Sequence, residues 1–222
     1  MNTESKARKR AAIFDLDGTL VDSMSFVVET FIEAVGPFRS RPTREEVLSH
    51  LGGPLETCLR NVLGPSAAAS FPSAMERLTG LQRGREASLV PYEGAKELLA
   101  MLASRGAKLG IWTGRDRWST LRMMDAHGFA GLFGAVVCGD DLPTHKPDPE
   151  GLLLAIRQLA VQPHEVVFLG DADVDILGGH AAGVHTILIH HGRVAPAHVN
   201  SRAAEIYADP RGAYAAVAGH FE

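Results

Sequence analysis

The sequence predicts an α/β fold: a parallel sheet with helices on both faces, interrupted near its start by an all-helical segment. Three observations carry this expectation. From Ala107 onward short apolar runs alternate with helical patterns. The runs are mostly continuous in apolar residues rather than alternating, as expected of strands buried on both faces. Residues 23–88 carry helical periodicity with no strand-like run among them. The expected division is therefore a core domain from residues 1–22 and 89–222, with residues 23–88 forming a helical domain inserted after the first strand.

The elements follow in order. RAAIF (residues 10–14) reads as a short buried strand ending at Asp15. MSFVVETFIEAV (24–35) is amphipathic, and Thr43 with Glu46 makes a capping-box pattern before VLSHL. PLETCLRNVL (54–63) and a long segment over 67–86 complete the helical set. The turn-like Pro91-Tyr92-Glu93-Gly94 then opens the helix AKELLAMLAS. AKLGIW (107–112) is a strand, residues 116–127 a helix stopped by Gly128, and GAVVCG (134–139) a strand. Residues 148–160 form a helix with Asp148 as N-cap and Pro149 in the first helical position. EVVFLG (165–170), a helix over 173–182 and VHTILI (184–189) close the pattern.

The 222 residues allow one large domain or one domain with a smaller insertion. A net charge of −4 implies no surface for nucleic acid, and the basic run Lys6, Arg8, Lys9, Arg10 reads as a solvated leader to the first strand. No apolar stretch approaches a membrane span, and no apolar segment follows the N-terminal charges as in a signal peptide. Two cysteines, Cys58 and Cys138, suit the reducing cytoplasm rather than a disulfide framework. Ten histidines invite a zinc reading, yet His185, His190 and His191 have no matching Cys or His cluster at ligand spacing. They read as surface or packing residues.

The stretch FDLDGTLVDS (14–23) crowds Asp15, Asp17 and Asp22 at a strand end. Residues i and i+2 of an extended segment face one side, so Asp15 and Asp17 can share a ligand. Gly18 permits an unusual backbone angle. Ligands of open parallel sheets sit at the carboxyl ends of the strands. There the sequence supplies Thr113-Gly114-Arg115, then Asp140, Asp141 and His145-Lys146-Pro147, then Asp171-Ala172-Asp173-Val174-Asp175. Packed acids repel unless a cation joins them, and an oxygen-only set beside phosphate favours Mg²⁺. Lysine and hydroxyl donors suit phosphate oxygens. An aspartate can attack phosphorus, and a second carboxyl can protonate the leaving oxygen and then activate water.

These residues resemble the motifs of the haloacid dehalogenase superfamily of phosphohydrolases, in the branch with a helical cap after the first strand. That branch includes phosphoglycolate phosphatase and beta-phosphoglucomutase relatives. DxDGT is similar to Asp15–Thr19, the second motif to Thr113, the third to Lys146 in KPDP, and the fourth, GDxxxD, to Asp171 and Asp175. The likeness runs from about residue 11 to 190. It implies a Rossmann-like core with a helical cap. It implies Asp15 as nucleophile and metal ligand, and Asp17 as general acid/base with its carbonyl on the metal. Asp171 would bind Mg²⁺ with support from Asp175. Thr113, Gly114 and Lys146 would hold the phosphoryl group. Members that cleave carbon–halogen bonds lack the second aspartate, so its presence points to phosphate.

Three features depart from the family pattern: Gly114 and Arg115 follow Thr113 where Asn is common, Ala172 follows Asp171, and Gly178-Gly179 sit in the next helix. Each of those glycines costs about 1 kcal/mol against Ala unless packing requires it. Arg115 either pairs with a surface acid, or lies along the helix start, or reads a second anionic group on the substrate. His50 and Gly53, in HLGGP, are further candidate specificity residues of the helical segment. Asp22 and Ser23 are expected to start the first inserted helix, and Asp173 to cap its own. The expected activity is Mg²⁺-dependent hydrolysis of a small phosphorylated metabolite through an aspartyl-phosphate, in a cytoplasmic monomer or homodimer. A phosphomutase, or a catalytically silent scaffold on the same fold, are the alternatives.

Overall fold

The computed structural model describes residues 9–50, 55–82 and 89–222. They fall into two compact units, Ser23–Leu89 and the remainder of the chain on either side.

The larger unit is built on a six-stranded sheet with every neighbouring pair parallel. Its strands are β1 (Ala11–Phe14), β4 (Lys108–Trp112), β5 (Ala135–Val137), β6 (Val166–Gly170), β7 (His185–Ile189) and β8 (Glu205–Tyr207), in the order β5-β4-β1-β6-β7-β8. All four residues of β1 are buried, which requires cover on both faces and explains the unbroken apolar run. The cover comes from α5 (Ala95–Ser104), α6 (Arg117–Ala126), α7 (Glu150–Gln158), α8 (Asp173–Ala181) and α10 (Pro210–Gly219), with the one-turn α9 (Ala197–Asn200) between the last two in the chain. Helix α7 packs on β4 and β5, and α8 on β6 and β7. Ile13, Trp112, Leu152, Ile156 and Phe168 share one core cluster. Two short strands, β2 (Val21–Asp22) and β3 (Val90–Pro91), pair antiparallel outside the main sheet.

The smaller unit is helical, with α1 (Ser23–Val35), α2 (Arg44–His50), α3 (Leu55–Leu63) and α4 (Phe71–Gln82), the last preceded by a 3₁₀ turn over Pro65–Ser70. Val28, Phe31, Leu59, Val62 and Leu78 form its core. The Thr43 hydroxyl accepts the Glu46 amide at 3.1 Å, as the capping pattern predicts.

Several boundaries differ from expectation. Helix α7 begins one residue late: Pro149 holds the N-cap and Asp148 accepts the Glu150 amide just before it. Ala172, not Asp173, caps α8, because the Asp175 carboxylate reaches back to the Ala172 amide at 3.0 Å. Asp173 sits inside the helix and pairs with Arg193. Asp22 lies in β2, and only Ser23 opens α1. The long 67–86 segment divides into the 3₁₀ turn and α4, and its last residues lie outside the described ones. The glycine pair of α8 has a packing cause. A Cβ on Gly178 would stand 2.6 Å from the Trp112 ring, and one on Gly179 2.3 Å from the Thr186 hydroxyl. Among the described residues no helix is long and apolar enough to cross a membrane.

Candidate active site

The register of the sheet sets the site. Phe14 lies beside Ile111 of β4 on one side and Leu169 of β6 on the other. The residues just beyond this row are Asp15 and Asp17 from β1, Thr113 from β4 and Asp171 from β6. The chain leaves β1 at the point where neighbours on its two sides come from different parts of the sequence, the place where open α/β sheets bind ligands.

Asp15 is buried, with its amide donating to the Leu169 carbonyl at 2.8 Å. Lys146, from the loop between β5 and α7, donates from Nζ to Asp15 Oδ1 and to Asp175 Oδ1, each at 2.6 Å. Its Nζ also lies 4.7 Å from the centre of the Trp112 ring, within cation–π range. Burial opposes the Lys146 charge, but Asp15 and Asp175 outweigh it and hold the ammonium above its ordinary pKa. Burial pushes the Asp15 carboxyl up to about 7 against the pull of Lys146. Burial also raises Asp171 well above the usual carboxylate range, with the charges of Asp15 and Asp175 adding to the effect.

The carboxylates of Asp15, Asp171 and Asp175 approach so closely that one oxygen from each lies within 4.8 Å of the others. Gly18 makes room for this. Its φ is +76°, and a Cβ there would stand 2.2 Å from Asp171 Oδ2. Three crowded, largely buried carboxylates, Asp15 and Asp171 among them with raised proton affinity, offer only oxygen donors and fit a hard divalent cation. Thr113 is buried, and its hydroxyl accepts the Arg115 amide at 3.1 Å, a local turn that shapes the 113–115 loop. Gly139 lets that loop pack closely, since a Cβ there would stand 2.2 Å from the Gly114 carbonyl.

Arg115 is brought into the site through Asp17. Its Nε donates to Asp17 Oδ2 at 2.9 Å and its Nη2 to Oδ1 at 2.5 Å. The acid it meets is thus not one on the surface but the expected acid/base itself, because the turns after β1 and β4 stand side by side. Asp140 and Asp141 turn away toward Arg117: Asp140 accepts the Arg117 amide at 2.8 Å, and Asp141 accepts from Arg117 Nε at 2.7 Å. His50 lies in the helical unit, in a cavity of about 340 Å³ that Arg60, Asn61 and Phe71 also line. Gly53 lies outside the described residues.

Three supporting side chains escaped the sequence reading. His191, taken for a surface or packing residue, donates from Nε2 to the Gly18 carbonyl at 2.7 Å and stacks on Tyr92. Tyr214 donates its hydroxyl to the Thr19 carbonyl at 2.6 Å. Arg193 donates to the Asp171 carbonyl at 2.9 Å. The first and third follow β7 closely, so the rule placing ligands beyond strand ends could have flagged them. Nothing local marks Tyr214, which is 195 positions from Thr19.

Residues 12–189 match the model of the haloacid dehalogenase-like hydrolase family. The chain belongs to that family. It is 32% identical over 196 residues to the N-acetylmuramic acid 6-phosphate phosphatase of Pseudomonas aeruginosa, covering 86% of each chain. It is 32% identical over 175 residues to the pyrophosphatase PpaX of Bacillus pumilus, covering 78% of this chain and 80% of the relative. A HAD-superfamily hydrolase of subfamily IA, variant 1, from Geobacter sulfurreducens shares the fold. Its TM-score is 0.75 at 23% identity, with 96% of this chain and 99% of that one covered. This hydrolase is an enzyme of the phosphatase type, and its parallel α/β core is the fold that the sequence predicts.

Proposed function

We propose that this hydrolase cleaves small phosphate monoesters by two in-line transfers through an aspartyl-phosphate on Asp15. The observation that carries this reading is Lys146, seated between Asp15 and Asp175 within a carboxylate cluster that Asp171 completes. Asp15, Asp171 and the backbone carbonyl of Asp17 would hold Mg²⁺, with Asp175 in support. The ion would offset the charge of the phosphate oxygens.

The residues of the chain divide the remaining work. Lys146, the Thr113 hydroxyl and the Gly114 backbone hold the phosphoryl oxygens by charge and hydrogen bonding. An Asp15 carboxylate oxygen attacks phosphorus, and the ester oxygen departs with a proton from Asp17. Asp17, now a carboxylate, takes a proton from water as that water attacks the aspartyl-phosphate. Phosphate leaves and Asp15 is regenerated. Arg115 holds both Asp17 oxygens in the structure, so it has to release one before Asp17 can carry the proton.

The helical unit serves in this proposal as a cap that excludes bulk water during transfer, with His50 and Gly53 as specificity residues. The activity belongs in the cytoplasm, on a free phosphorylated metabolite, in a monomer or homodimer. Hydrolysis of a chromogenic phosphate ester tests the core of this reading. It should vanish with EDTA, return with Mg²⁺ and fall by several orders of magnitude in Asp15→Asn. Asp17→Asn should gain the mass of one phosphoryl group when given an ester with a good leaving group. Full turnover in Asp15→Asn, or in metal-free protein, would refute it. A panel of phosphorylated metabolites ranked by kcat/KM would then name the substrate.

A further inference from the structure

We propose a second metal site, distinct from the carboxylate cluster, formed by His185, Glu205 and His220 and suited to Zn²⁺ or a similar nitrogen-seeking divalent ion. His185 opens β7, Glu205 opens β8, and His220 follows the end of α10. Sequence spacing hides the set, because 20 and 15 residues separate neighbouring members. The fold brings both imidazoles onto one oxygen: His185 Nε2 lies 2.8 Å and His220 Nε2 2.7 Å from Glu205 Oε1. The two rings meet edge to face, with centroids 4.6 Å apart.

Two nitrogens and a carboxylate oxygen are a donor set for zinc, copper or nickel and a poor one for Mg²⁺. Ligands of a tetrahedral zinc at 2.0–2.1 Å stand about 3.4 Å from one another. The Glu205 oxygen therefore needs to withdraw by well under about 1 Å to admit an ion on the same three atoms. Each imidazole would carry its proton on Nδ1 in place of Nε2, a tautomer change with no net charge cost. Burial, outweighing the Glu205 hydrogen bond, lowers the His185 pKa and favours the neutral ring that a metal needs. Tyr207 supplies the outer support: its hydroxyl donates to Glu205 Oε2 at 2.8 Å, which leaves Oε1 to face the two rings. The side chains of His185 and Glu205 are 24% and 27% exposed, so an ion can enter from solvent. Bound there, it would cross-link the edge strand β8, its neighbour β7 and the end of α10.

The test uses the full chain, stripped with chelator, returned to saturating Mg²⁺ to keep the carboxylate cluster occupied, and then given ZnCl₂. One zinc per chain should survive gel filtration, and Tm should rise. Co²⁺ in place of zinc should give the intense visible absorption of a tetrahedral nitrogen site. His220→Ala and Glu205→Gln should each lose the retained zinc and the cobalt band, with circular dichroism reporting that they are folded. Tyr207→Phe should bind about tenfold more weakly. No retained zinc and no tetrahedral cobalt band in the wild-type chain would reduce the cluster to a hydrogen-bonded clasp. Zinc retained undiminished in both variants would place it elsewhere. Either result overturns the proposal.

Discussion

Arg115 grips Asp17 with both arms of its guanidinium fork, at 2.9 and 2.5 Å. The two residues lie on turns that follow adjacent strands, β1 and β4, so the pair joins the loop carrying the proposed proton carrier to the loop carrying Thr113. A fork of this kind fixes direction as well as distance. It also engages both oxygens of the group proposed to hand over a proton.

Arg115→Ala is expected to lower kcat about ten- to a hundredfold by loosening Asp17, the size of effect that a small misplacement of a reacting group produces. KM for a simple chromogenic ester should change little. Arg115→Lys should not restore the rate, because an ammonium cannot replace a two-armed contact. Steady-state kinetics on that ester and on a carboxylate-bearing phosphate metabolite check this. A rise in KM confined to the metabolite would instead assign Arg115 to a second anion of the substrate.

Lys146→Met removes the cation that Asp15 and Asp175 share. Leaving buried charges without their partner costs about 3–5 kcal/mol. Urea unfolding should show a loss of that order. Mg²⁺ should restore part of the stability, by taking up some of the carboxylate charge, and none of the turnover.

Gly178→Ala and Gly179→Ala should each destabilise the protein by about 1–3 kcal/mol, the range for overpacking a filled interior. Helix propensity alone predicts the opposite sign, a gain of about 1 kcal/mol. Thermal melts of the two variants decide between propensity and the contacts with Trp112 and Thr186.

Asp141→Asn should cost about 1–2 kcal/mol at pH 7. Asp141 accepts from Arg117 and from the Cys138 amide, and solvent weakens the charged hydrogen bond at the part-exposed Arg117. The hydrogen bond from Arg117 holds the Asp141 carboxyl below its ordinary pKa. A depressed folded-state pKa gives stability that is fully present above the unfolded value, near 3.9, and lost as pH falls through the folded one. The gap in stability between wild type and variant should therefore be constant near neutrality and close in strong acid. Urea titrations across that range measure it.

The sheet was legible because β1, β4, β6 and β7 are mostly continuous apolar runs, broken only by Lys108 at the start of β4 and by His185 and Thr186 at the start of β7, and because Asp15, Thr113 and Asp171 each stand just past one of them. Short-range hydrogen bonding decided what was misplaced: the reach of Asp175 back to Ala172 moved the cap of α8 off Asp173. Three-residue β8 and the alanine-rich α10 carry too little pattern to be read, so the region beyond Ile189 stayed blank. Of its contributions, His191 on Gly18 could have been sought just past β7, but Tyr214 on Thr19 and the meeting of His185 with Glu205 and His220 depend on long-range folding that no local spacing encodes. The pairing of Arg115 with Asp17 was not legible: the sequence suggested a surface acid, and the actual partner depends on how the turns after β1 and β4 face each other.

Strands β2 and β3 pair Val21 with Pro91 and Asp22 with Val90, so the chain departs for the helical unit and returns from it at neighbouring positions. A detour whose two ends are already clasped adds only a slowly growing entropy of closure to its host, whatever its length. The hairpin stem therefore works as a graft junction. Helices of another size or sequence can be spliced between Asp22 and Val90 without resetting the register of the sheet, so a lineage could exchange its helical unit while the strands that carry the carboxylates stay as they are.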